Sequence, residues 1–428
     1  MVPDSAAVLK RLYFVQRELV RMQAGWTPGT EHWETKLLLP EFLWEDALVA
    51  GQLRKRVLEL RFPERRMEAG ADEACIGFWK ALADAPSGEA FSCALIQHIK
   101  PALRKAFCKY RESSDSLDDA PTMRIINHAV ADIEEQKRRG AAAHDDLCVS
   151  FPHDAQATTT WVEAVGRAIG KLSPNWWDPA EDSDFAPALV ELAPHRRPFG
   201  IARRGVRDRR FNRAHFSWPD SLWPDRGPGT GFELQVRQAQ AHLNEIWAAE
   251  MAAACIYDLM EDGPPEFLED AARWCFDELR HCKMGYTRFM DWGFSKSEMP
   301  MGSFSYDAGE PLDAISRLGI IFYFETTFIH TKSERTKSFA AFGDRTSSHD
   351  MDFDWADELI HTYYGKRWLN YFLEKEATGR TINEIKEIAF RSVQDLRAAA
   401  TLADEEATLR LYSETMKRAS ELAQQSAF

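Results

Sequence analysis

The chain of 428 residues predicts an all-α protein: a four-helix bundle accompanied by further helices. Three observations predict it. Apolar residues recur at helical spacing over long segments that carry no internal Gly-Pro break. The segments that do break, such as Gly263-Pro264-Pro265, fall between them. Two of the helical segments contain an Asp-Glu-x-x-His sequence, Asp277-Glu278-Leu279-Arg280-His281 and Asp357-Glu358-Leu359-Ile360-His361. Residues three apart share a helix face, so each segment offers a carboxylate and an imidazole on one side.

Residues 1–140 read as an N-terminal helical region, with helices at about 5–24, 31–61, 71–84, 88–111 and 120–138. Pro40 lies inside the second and predicts a kink. Trp44-Glu45-Asp46-Ala47-Leu48-Val49-Ala50 echoes the segment from Trp355 to His361, with Ala47 and Ala50 standing where Glu358 and His361 stand. That suggests a degenerate bundle copy that has lost its metals.

Residues 141–234 read as an irregular connector rich in Pro, Trp and Arg. Asn175-Trp176-Trp177-Asp178-Pro179 and Asp225-Arg226-Gly227-Pro228-Gly229 mark turns. Eight arginines lie between Arg196 and Arg213. They could contact phosphate, with Phe199 and Phe211 stacking on bases. On an acidic chain they are expected instead to dock on their own protein or on a second subunit.

Residues 235–375 form the predicted bundle, and 376–428 hold one or two amphipathic packing helices. In the bundle, helices are expected over 236–262, 266–292 and 311–341, with an irregular connection at 343–352 before the second Asp-Glu-x-x-His segment. With 36 Glu and 12 His, composition alone gives about one Glu-x-x-His match. There are two, each with a Glu on the helix before it, which is the inward-facing ligand pattern of a dimetal site in a helix bundle.

The upstream partners follow from hairpin geometry. Glu250 and Glu278 lie equally far from Pro264 and are level if both helices are continuous. Glu245 falls about 7 Å lower and is the substitute. On the other pair, Glu325 sits between Phe324 and Phe328, where a carboxylate without a partner is costly, and is preferred to Glu334 in its charged turn. Four carboxylates and two imidazoles suit Fe or Mn, and their four negative charges match two divalent ions. Asp277 and Asp357 are expected to accept the other N–H of a ligating His.

Residues 240–370 resemble the ferritin-like di-iron carboxylate superfamily. The run from Asp277 to His281 is similar to the Asp/Glu-Glu-x-Arg-His motif of its oxygen-activating members, among them ribonucleotide reductase small subunits and bacterial multicomponent monooxygenases. The second copy has Ile360 where Arg would stand. The wider segments 250–282 and 351–368 also resemble uncharacterised ferritin-like bacterial proteins. The resemblance implies Glu250, Glu278, His281, Glu325, Glu358 and His361 as ligands of two iron ions, or of a mixed Mn/Fe pair, with Asp277, Asp357 and Arg280 around them. It implies a dioxygen-dependent oxidase or monooxygenase acting on a small organic substrate. The metal centre itself would be the catalyst, and the electrons would come from a separate donor or from the substrate. The alternatives are a ferroxidase that handles iron and an RNA-modifying hydroxylase. Reductase small subunits place a Tyr four residues after the first His, and here that position is Gly285.

Aromatic residues available to wall a substrate pocket are Trp247, Tyr257, Phe276, Phe324, Phe328 and Trp355. A formal net charge of −14 argues against bulk attraction to nucleic acid or anionic membrane. No run of 18 apolar residues suggests a membrane span. Seven scattered Cys and no secretory h-region point to reduced thiols in the cytoplasm. A homodimer is the default assembly.

Overall fold

A computed structural model describes residues 1–67, 73–180 and 185–424. These are almost wholly helical, and they divide into two compact units, Met1–Ile201 and Ala202–Phe428. The four-part division expected from composition is therefore replaced by two bodies. The first half of the expected connector is helical and belongs to the N-terminal unit. The second half and the C-terminal helices belong to the other. Among the described residues no helix is long and apolar enough to cross a membrane.

The N-terminal unit comprises α1 (Val2–Trp26), α2 (Trp33–Glu59), α3 (Glu73–Ala81), α4 (Gly88–Ala94), α5 (Lys100–Ser113), α6 (Ala120–Ser150), α7 (Pro152–Gly170) and α8 (Phe185–Leu192). The expected helix over 71–84 is seen from Glu73, its first two positions lying outside the described residues. Helix α2 runs through Pro40. A π turn at Leu95–Ile99 joins α4 to α5. Pro101 has no N–H to give the carbonyl four residues back, which favours this wider turn. Helix α6 runs twelve residues past its expected end at 138. Ala47 and Ala50 are buried and offer no ligand atom. Beside them the carboxylate of Asp46 receives Lys100 Nζ (2.6 and 2.5 Å), Gln16 Nε2 (3.0 Å) and Gln23 Nε2 (2.7 Å).

The C-terminal unit begins with a loop segment and α9 (Pro219–Leu222). It continues through α10 (Gly231–Asn244), α11 (Ile246–Leu259), α12 (Pro265–Asp291), α13 (Phe304–Asp307), α14 (Ala314–Ala341), α15 (Arg345–Glu376), α16 (Ile382–Ala398) and α17 (Leu402–Gln424). A two-residue parallel pairing of Asn212–Arg213 (β1) with Pro300–Met301 (β2) is a small departure from the all-helical expectation. Helices α10 and α11 pack on α12, α14 packs on α15, and the two sets meet through α11 with α14 and α12 with α15. Helix α16 covers α14. The expected irregular stretch at 343–352 is only a tight turn. Gly343 takes a positive φ of 85°, and Asp344 caps α15 by accepting the Ser347 N–H.

The expected continuous helix over 236–262 is interrupted at Glu245, between α10 and α11. Two thiols set its register on α12. Cys282 Sγ donates to Leu243 O (3.2 Å) and Cys275 Sγ to Ala249 O (3.3 Å). Gly285 lets α10 come close, because a Cβ there would collide with the backbone N of Leu243 and O of Ala239. The position that carries Tyr in reductase small subunits has no room for any side chain here.

The arginine strip is docked on its own unit. Arg203 pairs with Asp258 (3.0 Å), Arg204 with Glu310 (2.7 Å) and Arg207 with Glu250 (2.8 Å). Phe211 is buried rather than free to stack on a base. In the N-terminal unit, Arg196 pairs with Asp84 (2.6 Å) and Phe199 packs on Trp26.

Gly285→Ala forces backbone atoms of α10 aside. It is expected to cost about 3 kcal/mol, at the upper end for overpacking in a dense core, and urea denaturation followed by circular dichroism reads the loss.

Candidate metal centre

Helix α12 brings Glu278 and His281 to the middle of the C-terminal unit, α15 brings Glu358 and His361, and α14 brings Glu325. All five are buried. One ligand atom each of Glu278, Glu325, Glu358 and His361 lies within 4.8 Å of the others, and so do those of Glu245, Glu278 and His281. A third such group joins His281, Asp354 and Glu358. With the group of His242, Glu245 and Asp354 counted too, Glu245, Glu278, His281, Asp354 and Glu358 each belong to two groups, so the donors form one continuous cluster.

Glu250 does not join them. It is fully buried and paired with the Arg207 guanidinium, and Glu245 faces the cluster instead, with Oε2 3.4 Å from His281 Nδ1. The two thiol–carbonyl bonds explain the correction. They put the residue level with Glu278 near 246, about four residues, or roughly 6 Å, from where a symmetric hairpin puts it. Glu325 is in the cluster and Glu334 is exposed, as their surroundings in the sequence suggested.

The imidazoles point their Nδ1 atoms inward. His281 Nδ1 lies 3.6 Å from Glu278 Oε2, and His361 Nδ1 lies 3.0 Å from Glu278 Oε1. The aspartates stand behind, but crosswise. His281 Nε2 meets Asp357 Oδ2 (3.2 Å), and His361 Nε2 meets Asp277 Oδ2 (3.5 Å). Each Asp serves the histidine of the other helix, not its neighbour in sequence. A carboxylate can only accept, so the Nε2 facing it carries the proton, and Nδ1 is the nitrogen left for a metal. Arg280 ties the two aspartates together, donating to Asp277 (2.5 Å) and reaching Asp357 (3.1 Å). Arg273 adds a second bond to Asp277 (2.7 Å).

Four more residues belong to the site and escaped the sequence reading. Trp274 Nε1 is shared between Glu325 Oε1 (3.0 Å) and Glu278 Oε1 (3.2 Å), and its ring stacks on His361. Lys332 Nζ donates to Asp354 Oδ1 (2.5 Å) and Glu358 Oε1 (2.6 Å). His242 Nε2 lies 3.3 Å from Asp354 Oδ2. A signal was present: Asp354 is one turn before Glu358, His242 one turn before Glu245, and Lys332 two turns after Glu325, all on ligand-bearing faces.

The residues fit a pair of divalent cations. Asp354 is matched by Lys332, and Asp277 and Asp357 by Arg273 and Arg280. That leaves Glu245, Glu278 and Glu325 without a lysine or arginine partner, and Glu358 sharing Lys332 with Asp354, around a largely buried space. Glu245 Oε2, Glu358 Oε2, His281 Nδ1 and His361 Nδ1 are buried and have no hydrogen-bond partner. The crowding of these groups shifts their proton affinities. Burial, then the Glu278 charge, pushes Glu325 up to about 7. Burial alone would lower His281 and His361, but the carboxylates facing them outweigh it and raise both well above the usual imidazole range. Burial also raises the Cys275 and Cys282 thiols, which stay protonated as donors to α11 and α10.

A cavity of about 290 Å³ opens beside the cluster. Glu245, Glu278, Glu325 and Glu358 reach one part of its wall, and Trp247, Phe324 and Phe328 supply apolar surface. Of the aromatic residues expected to wall a pocket, Tyr257, Phe276 and Trp355 do not line it. Comparison with protein-family models, with curated proteins and with solved structures finds no match to this chain.

Glu245→Ala is expected to lower the metal bound per chain while leaving the fold intact. Glu250→Ala is expected to leave every ligand in place but strand Arg207, at about 3–5 kcal/mol. Elemental analysis and urea denaturation separate the two. Metal must also displace protons held by His281, His361 and Glu325, whose affinities for protons are all raised. Apparent Mn(II) affinity is therefore expected to rise with pH and to fall as pH drops through neutrality, by up to about tenfold per pH unit for each proton released, as calorimetric titration would show.

Proposed function

We propose that the C-terminal unit is a ferritin-like bundle holding two iron ions, and that the protein is a dioxygen-dependent oxidase or oxygenase of a small organic substrate. The observation that carries this reading is the convergence of three buried glutamates, Glu278, Glu325 and Glu358, and the half-buried Glu245 around two inward-facing Nδ1 atoms, with Lys332 the one lysine among them. Oxygen and nitrogen donors of this kind suit Fe or Mn. The family resemblance of the two Asp-Glu-x-x-His segments points the same way.

Glu245, Glu278 and His281 would hold one ion, and Glu278, Glu325, Glu358 and His361 the other. Bound iron would supply the two-electron reduction of dioxygen. The chain's own residues keep the ligands in place. Asp357 accepts the Nε2 proton of His281, and Asp277 faces Nε2 of His361 at ion-pair distance, which orients the rings and raises their basicity. Trp274 restrains Glu278 and Glu325 from one side. Lys332 holds one oxygen of Glu358 and leaves the other toward the cluster. Trp247 and Phe324 give the cavity an apolar wall beside the ligands. A walled organic-sized cavity beside the ligands favours an oxidised substrate over iron handling alone.

Anaerobic loading with Fe(II) is expected to give about two Fe per chain, and admitting dioxygen to give stoichiometric oxygen uptake at an electrode. Glu278→Ala and Glu358→Ala should abolish both. Uptake without stoichiometric iron, or two irons without uptake, would sink the oxygenase reading.

A further inference from the structure

The cavity beside the cluster has a second charged region. Arg237, Arg335 and Arg397 line it together with Asp220. Only Arg237 forms an ion pair there, through Nε to Asp220 Oδ2 (2.8 Å). Arg335 Nη1 reaches Gln238 Oε1 (3.2 Å), a neutral acceptor. Arg397 Nε donates to Ser221 O (2.8 Å), and its guanidinium lies 5.3 Å from the Phe304 ring centre. Arg237 Nη1 and Asp220 Oδ1 are buried without partners. Three guanidinium groups thus line this region with Asp220, which pairs with Arg237, while Arg335 and Arg397 bond to neutral acceptors and leave donors that an anion can take. Burial, and for Arg335 the nearby charge of Arg237, lowers the proton affinity of Arg335 and Arg397, against a smaller opposing pull from Asp220 on both and from Asp354 and Glu245 on Arg335.

Helix α14 connects this region to the cluster. Glu325, Phe328, Lys332 and Arg335 are spaced three, four and three residues apart and share one face. Glu325 and Arg335 are about 15 Å apart along the axis. Trp247, Phe324 and Phe328 form a ladder of rings on the cavity wall, with centroids 4.9 and 6.2 Å apart. The volume of about 290 Å³ suits a small molecule.

We propose that this cavity binds an organic anion, with its carboxylate or phosphate on Arg335 and Arg397 and its apolar body along Trp247, Phe324 and Phe328 toward Glu325 and Glu358. That the anion is the substrate of the adjoining metals rests on the function proposed above. That it binds does not.

Metal-free protein is titrated with linear carboxylates from butyrate to decanoate, with the matching amides, and with the matching alkyl phosphates, following tryptophan fluorescence and heat. At least one anion is expected to bind about tenfold or more tightly than its amide, as a charge-assisted guanidinium bond requires. Arg335→Gln and Arg397→Gln should each erase that preference, leave amide binding unchanged, and leave iron per chain unchanged. Comparing carboxylate with phosphate identifies the headgroup. No anion preferred over its amide, or a preference untouched in both variants, overturns the proposal. A wild-type protein that binds the anion but not two irons overturns the dimetal reading alone.

Discussion

Four glutamate carboxylates, three of them buried, gathered in a helical core with a single lysine among them form the constraint around which the C-terminal unit is organised. Like charges this close cannot all ionise in a buried space without a large penalty. The surroundings relieve part of it. Glu325 holds its proton into the neutral range, and both histidines are drawn into the charged form. Lys332 is committed to Asp354 and to one oxygen of Glu358. A cation at the point where the donor atoms converge could take the place of those protons. Everything near that point either supplies a donor or holds one still.

The outer residues are arranged with equal economy. Asp277 and Asp357 exchange histidines across the α12–α15 contact, and Arg280 reaches both aspartates. The two ligand-bearing helices are thereby locked to each other through the groups that orient the rings. A shift of α15 along α12 would break both outer contacts at once. The thiols of Cys275 and Cys282 do the same for the other side of α12, pinning α10 and α11 by their carbonyls. Gly285 permits the approach that makes those bonds possible.

The N-terminal unit handles a buried carboxylate differently. Asp46 is answered within the protein by Lys100 and two glutamine amides. An aspartate neutralised by a lysine needs no metal, and the alanines beside it offer none a ligand. One unit closes its buried charge internally and the other leaves it open, and only an open balance can recruit a cation.

Much of this was legible in the sequence. Helical periodicity and the placing of Gly and Pro gave the helices because both act locally, through backbone geometry and one-sided burial. The paired Asp-Glu-x-x-His segments pointed to four side chains that do converge because three-residue spacing on a helix is itself a spatial statement, and the apolar neighbours of Glu325 marked it as buried. Tertiary structure alone decided the rest. Glu245 replaces Glu250 because the helix breaks and its register on α12 is set by contacts between helices, which residue counting from a turn cannot measure. Asp277 serves His361 and Asp357 serves His281 because those atoms meet only across the bundle. Lys332, His242, Asp354 and Trp274 enter for the same reason. The sequence by itself determined which chemistry the chain can offer and on which helix faces. Which donors converge, and whether their charge is met, depended on packing between segments distant in the chain.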